Sequence, residues 1–343
     1  MIVTKAVVFT GPNQVEYRDV SCPDPGPDDV VVRTTHSWIS NGTEGSYLRG
    51  ERSDGDTPFA EGDPLPFPVI AGYQKIGIVD SIGANVDHVK PGQQVFCTIG
   101  RVDGMHHWYA GQVAVSVTPK KDVWPIPSGV DPLAFAGLVL IQVGYNSGMR
   151  SPVEPGELAV VVGDGLVGHW TAQTLANRGA RVVLVGRHND RLAKVARKSE
   201  IMTINSRDND WVGTIRDQYG ETIAVGVDTV GSVEILNDLM SISKRFGHLV
   251  SAGFYGSEDA LHLQPPRYRE LSIDLVSGWT YERMGAALEE VASGRITSLE
   301  LITHRFPANM AADAWALIES KSEPVLGVIL DWSHGDAHAR VTN

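Results

Sequence analysis

The sequence predicts a two-domain α/β protein, with a turn-rich β domain followed by a doubly wound domain around a parallel sheet. Three observations lead to this fold class. The chain has 343 residues, more than a single hydrophobic core usually organises. Short β-type runs separated by turn signals fill residues 1 to about 125, whereas apolar runs alternate with polar intervals of helix length after residue 155. The composition, 42% apolar and 20% charged, is that of a globular protein.

The first part of the chain is expected to form the β domain. KAVVF and VEYRDV flank the turn GPNQ, and DDVVVRTT, IAGYQKIGIVDSIG and VKPGQQVF follow them. In the segment 131–148 apolar residues recur at helical spacing, and Asp131 with Pro132 makes an N-cap and first-turn pair. We therefore expect a connecting helix there.

The middle of the chain is expected to form the doubly wound domain. After the turn at Pro155 and Gly156, LAVVVG is a nearly unbroken apolar run, as is typical of a strand buried in a parallel sheet. Further runs of this kind are RVVLVG (181–186), MTIN (202–205), IAVGVDTVG (223–231) and HLVSAGF (248–254). Because polar, helix-length intervals separate these runs, strand and helix should alternate.

Charge and composition exclude several classes of function. The formal charge is −12, and no basic cluster is longer than Lys120 and Lys121. The sequence therefore lacks the basic patch that binding to nucleic acid requires. The longest apolar stretch, near 133–141, is half of what a membrane span needs, and the N-terminus lacks a signal-peptide core. We expect a cytoplasmic protein without a membrane partner. Cys22 and Cys97 fit a reduced compartment, and their separation excludes the usual zinc spacings.

A glycine-rich motif marks a candidate phosphate-binding turn. Gly163, Gly165 and Gly168 form G-x-G-x-x-G between a predicted strand and a predicted helix. In such a motif the first glycine allows the tight turn, the second lets the backbone approach a pyrophosphate, and the third lets helix and strand pack closely. Amides at the start of the helix, including those of Leu166 and Val167, would stabilise the anion. The alternative is a tight turn without a ligand.

Arg187 indicates which dinucleotide would bind. It ends the second strand, 19 residues after Gly168, where an acid would bind the ribose 2′-hydroxyl of NAD. A guanidinium cannot accept that hydrogen bond, but it can bind a 2′-phosphate bidentately, with Arg191 as a second donor. The sequence therefore predicts NADP(H) as cofactor. The alternative is that Arg187 stacks on the adenine or is a solvated loop charge.

Several further motifs complete a resemblance to the medium-chain dehydrogenase/reductase superfamily, from about residue 3 to residue 331. They are ISNGTE (39–44), PVIAGYQKIGIVDSIG (68–83), VKPGQQVF (89–96), DTVGS (228–232), SAGFYG (251–256) and the closing HRFPANMAADAWALIESKSEPVLGVIL. The resemblance implies a GroES-like β-barrel catalytic domain (1–145 and 282–343), a Rossmann NADP(H)-binding domain (146–281) and an active site in the cleft. It also implies a small-molecule substrate and a homodimer or homotetramer. The I-S-x-G-T-E segment is similar to that of bacteriochlorophyllide-dehydrogenase-like proteins.

The chain departs from the zinc enzymes of this superfamily at their metal ligands. Those enzymes carry Cys, then Gly-His-Glu, then Cys or Asp. The matching positions here are Ser40 or Asn41, the segment 72–74 (Gly-Tyr-Gln), and the neighbourhood of Val139. Since zinc takes thiolate, imidazole or carboxylate ligands, none of these is a good ligand set. The resemblance therefore implies a zinc-independent member with no bound metal.

Without zinc, hydrogen-bond donors must stabilise the negative charge that develops on a substrate oxygen. Thr43 matches the family hydroxyl that touches this oxygen, Tyr73 and Gln74 replace the His-Glu pair, and Asn41 can also donate. Glu44 either orients its neighbours or takes part in the reaction. Structural roles compete with these: Thr43 can cap a turn, Asn41 can form a turn, and Tyr73 with Gln74 can pack in the barrel.

The resemblance implies further contacts around the nicotinamide. The backbone at Ala252 and Gly253 would hold the carboxamide, and Thr229 lies along the same strand ends. Trp279 matches a loop near the nicotinamide and is a candidate wall of the substrate pocket. Trp108 is a second candidate for that pocket, although aromatic packing is an alternative role.

The leading hypothesis is a zinc-independent, NADP(H)-dependent oxidoreductase that interconverts a secondary alcohol and a ketone, on a polyhydroxylated or cyclic metabolite. Reduction of a C=C bond in an enone or quinone is the second hypothesis. A non-catalytic NADPH-binding protein is an alternative of another class. Polar residues at the former zinc positions favour the carbonyl reaction, because an enone needs less support for an oxyanion.

Overall fold

The structure, a computed structural model, describes residues 1–55, 57–107, 109–195, 201–255 and 259–333 and the backbone of 340–341. Backbone contacts divide the chain into two compact units. Unit 1 comprises Met1–Val139 and Ser298–Asn343, and unit 2 comprises Leu140–Thr297.

The first part of unit 1 consists mainly of strands. These are β1 (Ile2–Gly11), β2 (Gln14–Cys22), β3 (Asp29–Ile39), β4 (Arg52–Asp54), β5 (Thr57–Pro58), β6 (Lys75–Ile82), β7 (Gln94–Cys97), β8 (Gly100–Arg101), β9 (Tyr109–Ala110), β10 (Val115–Pro119) and β11 (Val123–Pro125). Helix α1 (Asn41–Leu48) follows β3, and 3-10 helices span Lys120–Asp122 and Pro132–Phe135.

Strands and helices alternate in unit 2. The elements are α2 (Leu138–Met149), which begins just before the unit, β12 (Leu158–Val162), α3 (Leu166–Asn177), β13 (Arg181–Gly186), α4 (Asn189–Leu192), β14 (Ile201–Asn205), α5 (Trp211–Tyr219), β15 (Ile223–Asp228), α6 (Val233–Ile242), β16 (Ser243–Ser251), α7 (Gln264–Tyr268), β17 (Ser272–Leu275) and α8 (Tyr281–Ala292). The chain then returns to unit 1 with 3-10 helices at Leu299–Leu301 and Ala308–Met310, β18 (Ile302–Pro307), α9 (Ala311–Ser320), β19 (Gly327–Asp331) and β20 (Arg340–Val341).

Both ends of the chain build unit 1. Its larger sheet has the order β11-β7-β6-β3-β19-β18, and β10 also pairs with β3. The C-terminal strand β19 lies antiparallel to β3, and β20 extends the sheet of β1 and β2. The core between these elements contains Phe9 and Trp315, whose rings meet edge to face with centroids 5.4 Å apart. This geometry is the one that aromatic quadrupoles favour.

Unit 2 contains a six-stranded parallel sheet. Its order is β14-β13-β12-β15-β16-β17, which is the strand order of the dinucleotide-binding doubly wound fold. Every residue of the central strand β12 is buried, since helices cover both faces of such a sheet. The order reverses between β12 and β15, so the carboxyl ends of these two strands form the switch point where ligands bind in this class of fold.

The segment that precedes α2 forms a helix in two steps. The Asp131 carboxylate accepts a hydrogen bond from the Leu133 N–H at 2.9 Å and so caps the 3-10 helix at Pro132–Phe135. Helix α2 follows from Leu138, as the apolar spacing predicts. Across the described ranges, no helix combines the length and the apolar character that a bilayer span requires.

The units differ from the predicted domain limits at residues 140–145 and 282–297. The sequence assigns both stretches to the β-barrel domain, whereas in the structure they lie in unit 2. Side chains of α3 account for part of the difference, because Trp170 and Gln173 donate hydrogen bonds to the Thr297 carbonyl at 3.1 and 3.2 Å. Asn177 donates to the Arg295 carbonyl at 2.8 Å.

Candidate active site and cofactor-binding site

Three hydroxyl groups of unit 1 lie together at the start of α1. Ser40 is the N-cap residue of the helix and is buried. The Tyr73 hydroxyl donates a hydrogen bond to Ser40 Oγ at 2.6 Å, and the Thr43 hydroxyl is a second hydrogen-bond partner of Tyr73. The structure thus brings two of the predicted donors, Thr43 and Tyr73, to one place.

Tyr73 is held in its protonated form. Burial raises the pKa of its phenol to about 12, and the hydrogen bonds with Ser40 and Thr43 lower it only in part. A phenol with this pKa keeps its proton at neutral pH. In the structure this one proton is donated to Ser40 Oγ, so the hydroxyl can donate to a substrate oxygen only by turning away from Ser40.

Glu44 is completely buried and is hydrogen-bonded to the backbone of this cluster. Its Oε1 accepts a hydrogen bond from the Ser40 N–H at 2.8 Å, and its Oε2 accepts one from Gln112 Nε2 at 3.0 Å. Gln112 Oε1 in turn accepts from the Ser37 hydroxyl at 2.5 Å, and Ser37 Oγ accepts from Trp332 Nε1 at 2.8 Å. Burial raises the pKa of Glu44 to about 7 despite these donors.

The other two predicted donors are tied to backbone carbonyls. Asn41 Nδ2 donates to the Leu326 carbonyl at 2.9 Å, and Gln74 Nε2 donates to the Trp38 carbonyl at 3.2 Å. Gln74 is fully buried. The Oδ1 of Asn41 is buried and has no hydrogen-bond partner within the described part of the chain, so this amide offers an acceptor.

The positions that the resemblance matches to zinc ligands therefore carry the hydroxyls of Ser40 and Tyr73 and the amides of Asn41 and Gln74. The last of these positions, near Val139, is apolar and buried. Over the described residues, no group of three or more His, Cys, Asp or Glu side chains is arranged to hold a metal ion.

The glycine motif forms a compact turn in unit 2. Gly163 follows β12 with φ +122°, a backbone conformation that residues other than glycine rarely adopt. A Cβ on Gly168 would lie 1.9 Å from the Gly163 carbonyl oxygen, whereas a Cβ on Gly165 would meet no atom within 4 Å. Leu166 and Val167 begin α3, and amides in the first turn of a helix have no partner within it. This turn fits a pyrophosphate.

Asp164, inside the glycine motif, reaches the turn after β13. Its Oδ2 accepts hydrogen bonds from the backbone N–H groups of Arg187 at 2.7 Å and His188 at 2.8 Å. Arg191 Nη1 lies 3.5 Å from its Oδ1. Arg187 is exposed, and its guanidinium has neither an ion-pair nor a hydrogen-bond partner among the residues that the structure describes.

A second buried carboxylate, Asp228, organises the loop after β15. It accepts hydrogen bonds from the N–H groups of Val230 and Ser232, both at 2.8 Å, and from that of Gly231 at 3.1 Å. The Tyr255 hydroxyl donates to the same carboxylate at 2.6 Å. This loop therefore has a fixed backbone next to the switch point.

The predicted nicotinamide contacts lie on this loop and its neighbour. The N–H and hydroxyl of Thr229 donate to the Val162 carbonyl at 3.0 and 2.9 Å, so Thr229 joins β15 to β12. The Ala252 N–H donates to the Asp228 carbonyl at 2.8 Å. A Cβ on Gly253 would lie 1.9 Å from the Gly231 nitrogen, so the two loops touch along their backbones.

Of the two tryptophans predicted for the substrate pocket, the structure describes only Trp279. Trp279 is half-buried in unit 2, and the carbonyl of its neighbour Gly278 accepts a hydrogen bond from Gln142 Nε2 at 3.3 Å. Trp108 lies outside the described residues.

Sequence reasoning missed four residues that organise these sites. Ser40 and Asp164 left a local signal, a serine before N-G-T-E and an acid between two motif glycines. Asp228 lies in the DTVGS motif, but its role as an acceptor for the loop was not predicted. Gln112 left no signal, since its partners are 68 and 75 residues away in the chain.

Two family profiles match the chain. The profile described as "Alcohol dehydrogenase GroES-like domain" matches residues 26–128, and the one described as "Zinc-binding dehydrogenase" matches residues 167–293. Together with the topology of the two units, these matches confirm the predicted fold class, a GroES-like domain and a Rossmann-like domain with a parallel sheet.

Curated relatives align along nearly the whole chain. The 2-desacetyl-2-hydroxyethyl bacteriochlorophyllide A dehydrogenase of Cereibacter sphaeroides is 27% identical, over 96% of this chain and 98% of that protein. The L-galactonate-5-dehydrogenase of Escherichia coli is 24% identical, over 96% of this chain and 99% of that protein.

Solved structures show the same fold. One from Sinorhizobium meliloti, described as a zinc-binding dehydrogenase bound to NADP, superposes with a TM-score of 0.81 at 22% identity, covering 96% of this chain and 99% of that one. The alcohol dehydrogenase RspB of Escherichia coli, complexed with NADH, gives a TM-score of 0.83 at 21% identity, covering 96% and 100%. One of the two carries NADP and the other NADH.

Burial of Glu44 should make the stability of the protein depend on pH. Its folded pKa of about 7 exceeds the ordinary 4.5, so folding favours the protonated form. This stabilisation is complete below about pH 4.5 and is lost as the pH rises through about 7. Between pH 5 and pH 8 the wild type should therefore lose on the order of 2–3 kcal/mol of unfolding free energy relative to Glu44→Gln. Urea unfolding of both proteins at both pH values measures this difference.

The exposed Glu61 provides the control, because Glu61→Gln should follow the wild type at both pH values. Parallel pH profiles of the wild type and Glu44→Gln would contradict the raised pKa.

Proposed function

This chain belongs to the medium-chain alcohol dehydrogenase family, and from that premise we propose that it interconverts a secondary alcohol and a ketone with NADP(H) and without zinc. The observation that carries the proposal is the Tyr73 hydroxyl, which lies against Ser40 and Thr43 in the segments that match the zinc ligands of relatives. It is a neutral donor where those enzymes have a cation.

The names of the relatives support the substrate class. L-Galactonate is a polyhydroxylated acid, and the other name contains a macrocycle that carries a hydroxyethyl group. Both compounds contain alcohol carbons. We propose a polyhydroxylated or cyclic secondary alcohol as the substrate of this chain.

The dinucleotide site is assigned to unit 2, because the residues present fit it. The glycine turn has no room for a side chain at Gly168 and open space at Gly165, as a pyrophosphate requires. Amides of Leu166 and Val167 would contact the phosphates, and Thr229, Ala252 and Gly253 would contact the nicotinamide end. When bound, the nicotinamide supplies a hydride to the substrate carbon or takes one from it.

Tyr73 would act as the general acid in ketone reduction. As the carbonyl carbon gains a hydride, its oxygen becomes negative. The Tyr73 O–H would turn from Ser40 Oγ to that oxygen and donate first a hydrogen bond and then its proton. The hydroxyls of Ser40 and Thr43 then hydrogen-bond the phenolate. A proton from solvent then restores the phenol. Oxidation of the alcohol runs in reverse, with the alcohol proton leaving to solvent through the Tyr73 hydroxyl as the hydride departs. Glu44 is a positioning residue, since it holds the Ser40 N–H.

The side chains at the former ligand positions do not fit a catalytic zinc. Zinc in proteins is bound by thiolate, imidazole or carboxylate. Ser40 and Tyr73 offer neutral hydroxyls that are hydrogen-bonded to each other. Asn41 and Gln74 offer amides whose N–H groups bind backbone carbonyls, and Val139 offers an alkyl group. Polarisation of the substrate is therefore assigned to the hydroxyl cluster.

Arg187 is the basis for proposing NADP(H). Its guanidinium is exposed at the end of β13, where a ribose 2′-phosphate would lie, and no described residue neutralises it. Arginine binds phosphate bidentately, and it cannot accept the hydrogen bond of a ribose hydroxyl.

Tyr73→Phe tests the proton donor. It removes one hydroxyl, so kcat for ketone reduction should fall about a hundredfold to a thousandfold, as for loss of one oxyanion donor. The Kd for NADPH should not change. Steady-state kinetics over a panel of ketones, enones and quinones, with titration of NADPH fluorescence, measures both. The control is Tyr47→Phe, a buried tyrosine of α1 whose hydroxyl lies 3.4 Å from the Gly55 carbonyl. Unaltered kcat in Tyr73→Phe would eliminate Tyr73 as the donor.

Arg187→Asp tests the cofactor. Because charge-assisted hydrogen bonds are lost and a repelling charge is introduced, the ratio of the Kd values for NADH and NADPH should fall roughly tenfold to a hundredfold. The matched control is Arg216→Asp, which makes the same charge change on the exposed face of α5. Equal ratios in the wild type and in Arg187→Asp would refute the assignment.

Zinc independence predicts that the purified enzyme keeps its full activity after dialysis against a chelator and gains none when zinc is added. Elemental analysis of the dialysed protein should find substoichiometric zinc. A stoichiometric zinc ion that survives dialysis, together with activity that depends on it, would overturn this part of the proposal.

A further inference from the structure

The turn after β13 is held by an acid that belongs to a different loop. Asp164 is only 7% exposed and comes from the glycine motif. One of its oxygens, Oδ2, accepts the hydrogen bonds from both the Arg187 and the His188 N–H groups. The backbone that presents the Arg187 side chain therefore depends on a single acceptor atom.

The same carboxylate also has an arginine and a histidine as neighbours. Arg191 Nη1 lies 3.5 Å from Oδ1, and His188 Nδ1 lies 3.0 Å from Oδ2. The Arg191 contact is long, and the buried Nε of this side chain has no hydrogen-bond partner within the described residues. Arg191 is thus a cation with unused donor capacity beside an acid.

Asp164 carries its negative charge at neutral pH. Burial alone raises the pKa of its carboxyl, but the N–H of Arg187 and the charge of His188 outweigh burial and hold the pKa below its ordinary value. His169 on α3 interacts electrostatically with this acid and also with Arg191 and Lys194. Burial lowers the pKa of His169 to about 4, so this ring is neutral at neutral pH.

We propose that Asp164 is a specificity-determining residue with two separable effects on the cofactor. Its oxygen holds the turn that both NAD(H) and NADP(H) need, whereas its charge competes with a 2′-phosphate for Arg191 and His188. Asp164 thereby limits the preference for NADP(H). The inference rests on the proposed function, in which Arg187 contacts the adenosine ribose.

The two cofactors differ in the group that meets this charge. A 2′-phosphate is an anion, so it gains from every cation nearby and loses from the Asp164 carboxylate. A 2′-hydroxyl is neutral, so the charge of Asp164 hardly changes its binding. Loss of the charge alone should therefore strengthen NADPH binding and leave NADH binding as it is. Loss of the acceptor should weaken both.

Two substitutions separate these effects. Asp164→Asn keeps an oxygen that can accept both backbone hydrogen bonds and removes the charge, whereas Asp164→Ala removes the acceptor as well. The Kd values for NADPH and NADH are measured on the full-length protein by titration of nucleotide fluorescence.

In Asp164→Asn the Kd for NADPH should fall about three- to fivefold, the effect of one partly screened charge, and that for NADH should stay constant. In Asp164→Ala both Kd values should rise. Asp190→Asn, which removes an exposed acid from α4, is the matched control and should leave the ratio unchanged. If Asp164→Asn leaves the ratio unchanged or weakens NADPH binding, the competition is refuted. If Asp164→Ala still binds NADH as the wild type does, the acceptor role is refuted.

Failure of this inference is distinguishable from failure of the proposed function. If Arg187→Asp does not move the ratio of Kd values, the cofactor assignment itself fails. If Arg187→Asp moves it and Asp164→Asn does not, only the inference fails. Should Asp164→Asn not fold, Arg191→Met tests the competition from the other side. It should weaken NADPH binding and spare NADH, and unchanged NADPH binding would overturn the inference.

Discussion

A carboxylate taken out of water must receive hydrogen bonds, and this constraint shapes both candidate sites. Glu44, Asp164 and Asp228 are buried, and each accepts hydrogen bonds from backbone N–H groups of a nearby turn or helix start. Since leaving such a group unpaired costs several kcal/mol, on the order of the net stability of a domain, the turn has little freedom to depart from its geometry. The acids therefore act as fixed points for the loops that carry the functional side chains.

In unit 1 the hydrogen bonds of a buried carboxylate lead to Tyr73, the proposed proton donor. Glu44 holds the Ser40 backbone, and the Ser40 hydroxyl in turn accepts the hydrogen bond of Tyr73. The negative charge of Glu44 also contributes to raising the pKa of Tyr73, after burial as the largest cause. Because the pKa of Glu44 is about 7, its own ionisation occurs in the range where the enzyme would work. Glu44 is thus electrostatically coupled to Tyr73, the proton donor of the proposed mechanism.

Local sequence patterns predicted the elements well, because strand runs, caps and glycine turns are encoded by neighbouring residues. The parallel strands of unit 2, the Asp131 cap and the glycine turn are examples. The side-chain partners were harder to predict, since they depend on packing between distant segments. Asn41 was expected to be a donor to the substrate, yet its N–H group binds a carbonyl 285 residues away.

The cofactor site shows the same limit in a smaller loop. Arg187 was recognised from its place at the end of a strand, which is a local property. Its hydrogen bond to Asp164 was not predicted, although this acid lies inside the glycine motif. The contact requires β12 and β13 to be neighbours in register. Sequence reasoning identified the cation and missed the anion beside it.

The hydrogen bonds from residues 187 and 188 to Asp164 use main-chain groups, and every amino acid except proline has an N–H group to offer. The shape of this turn is therefore independent of which side chains it displays. Over evolutionary time, descendants of this chain can exchange residue 187 for an acid, or residue 188 for almost anything, without having to rebuild the loop. Under the proposed role of residue 187, coenzyme choice is a trait that a lineage can change at one position.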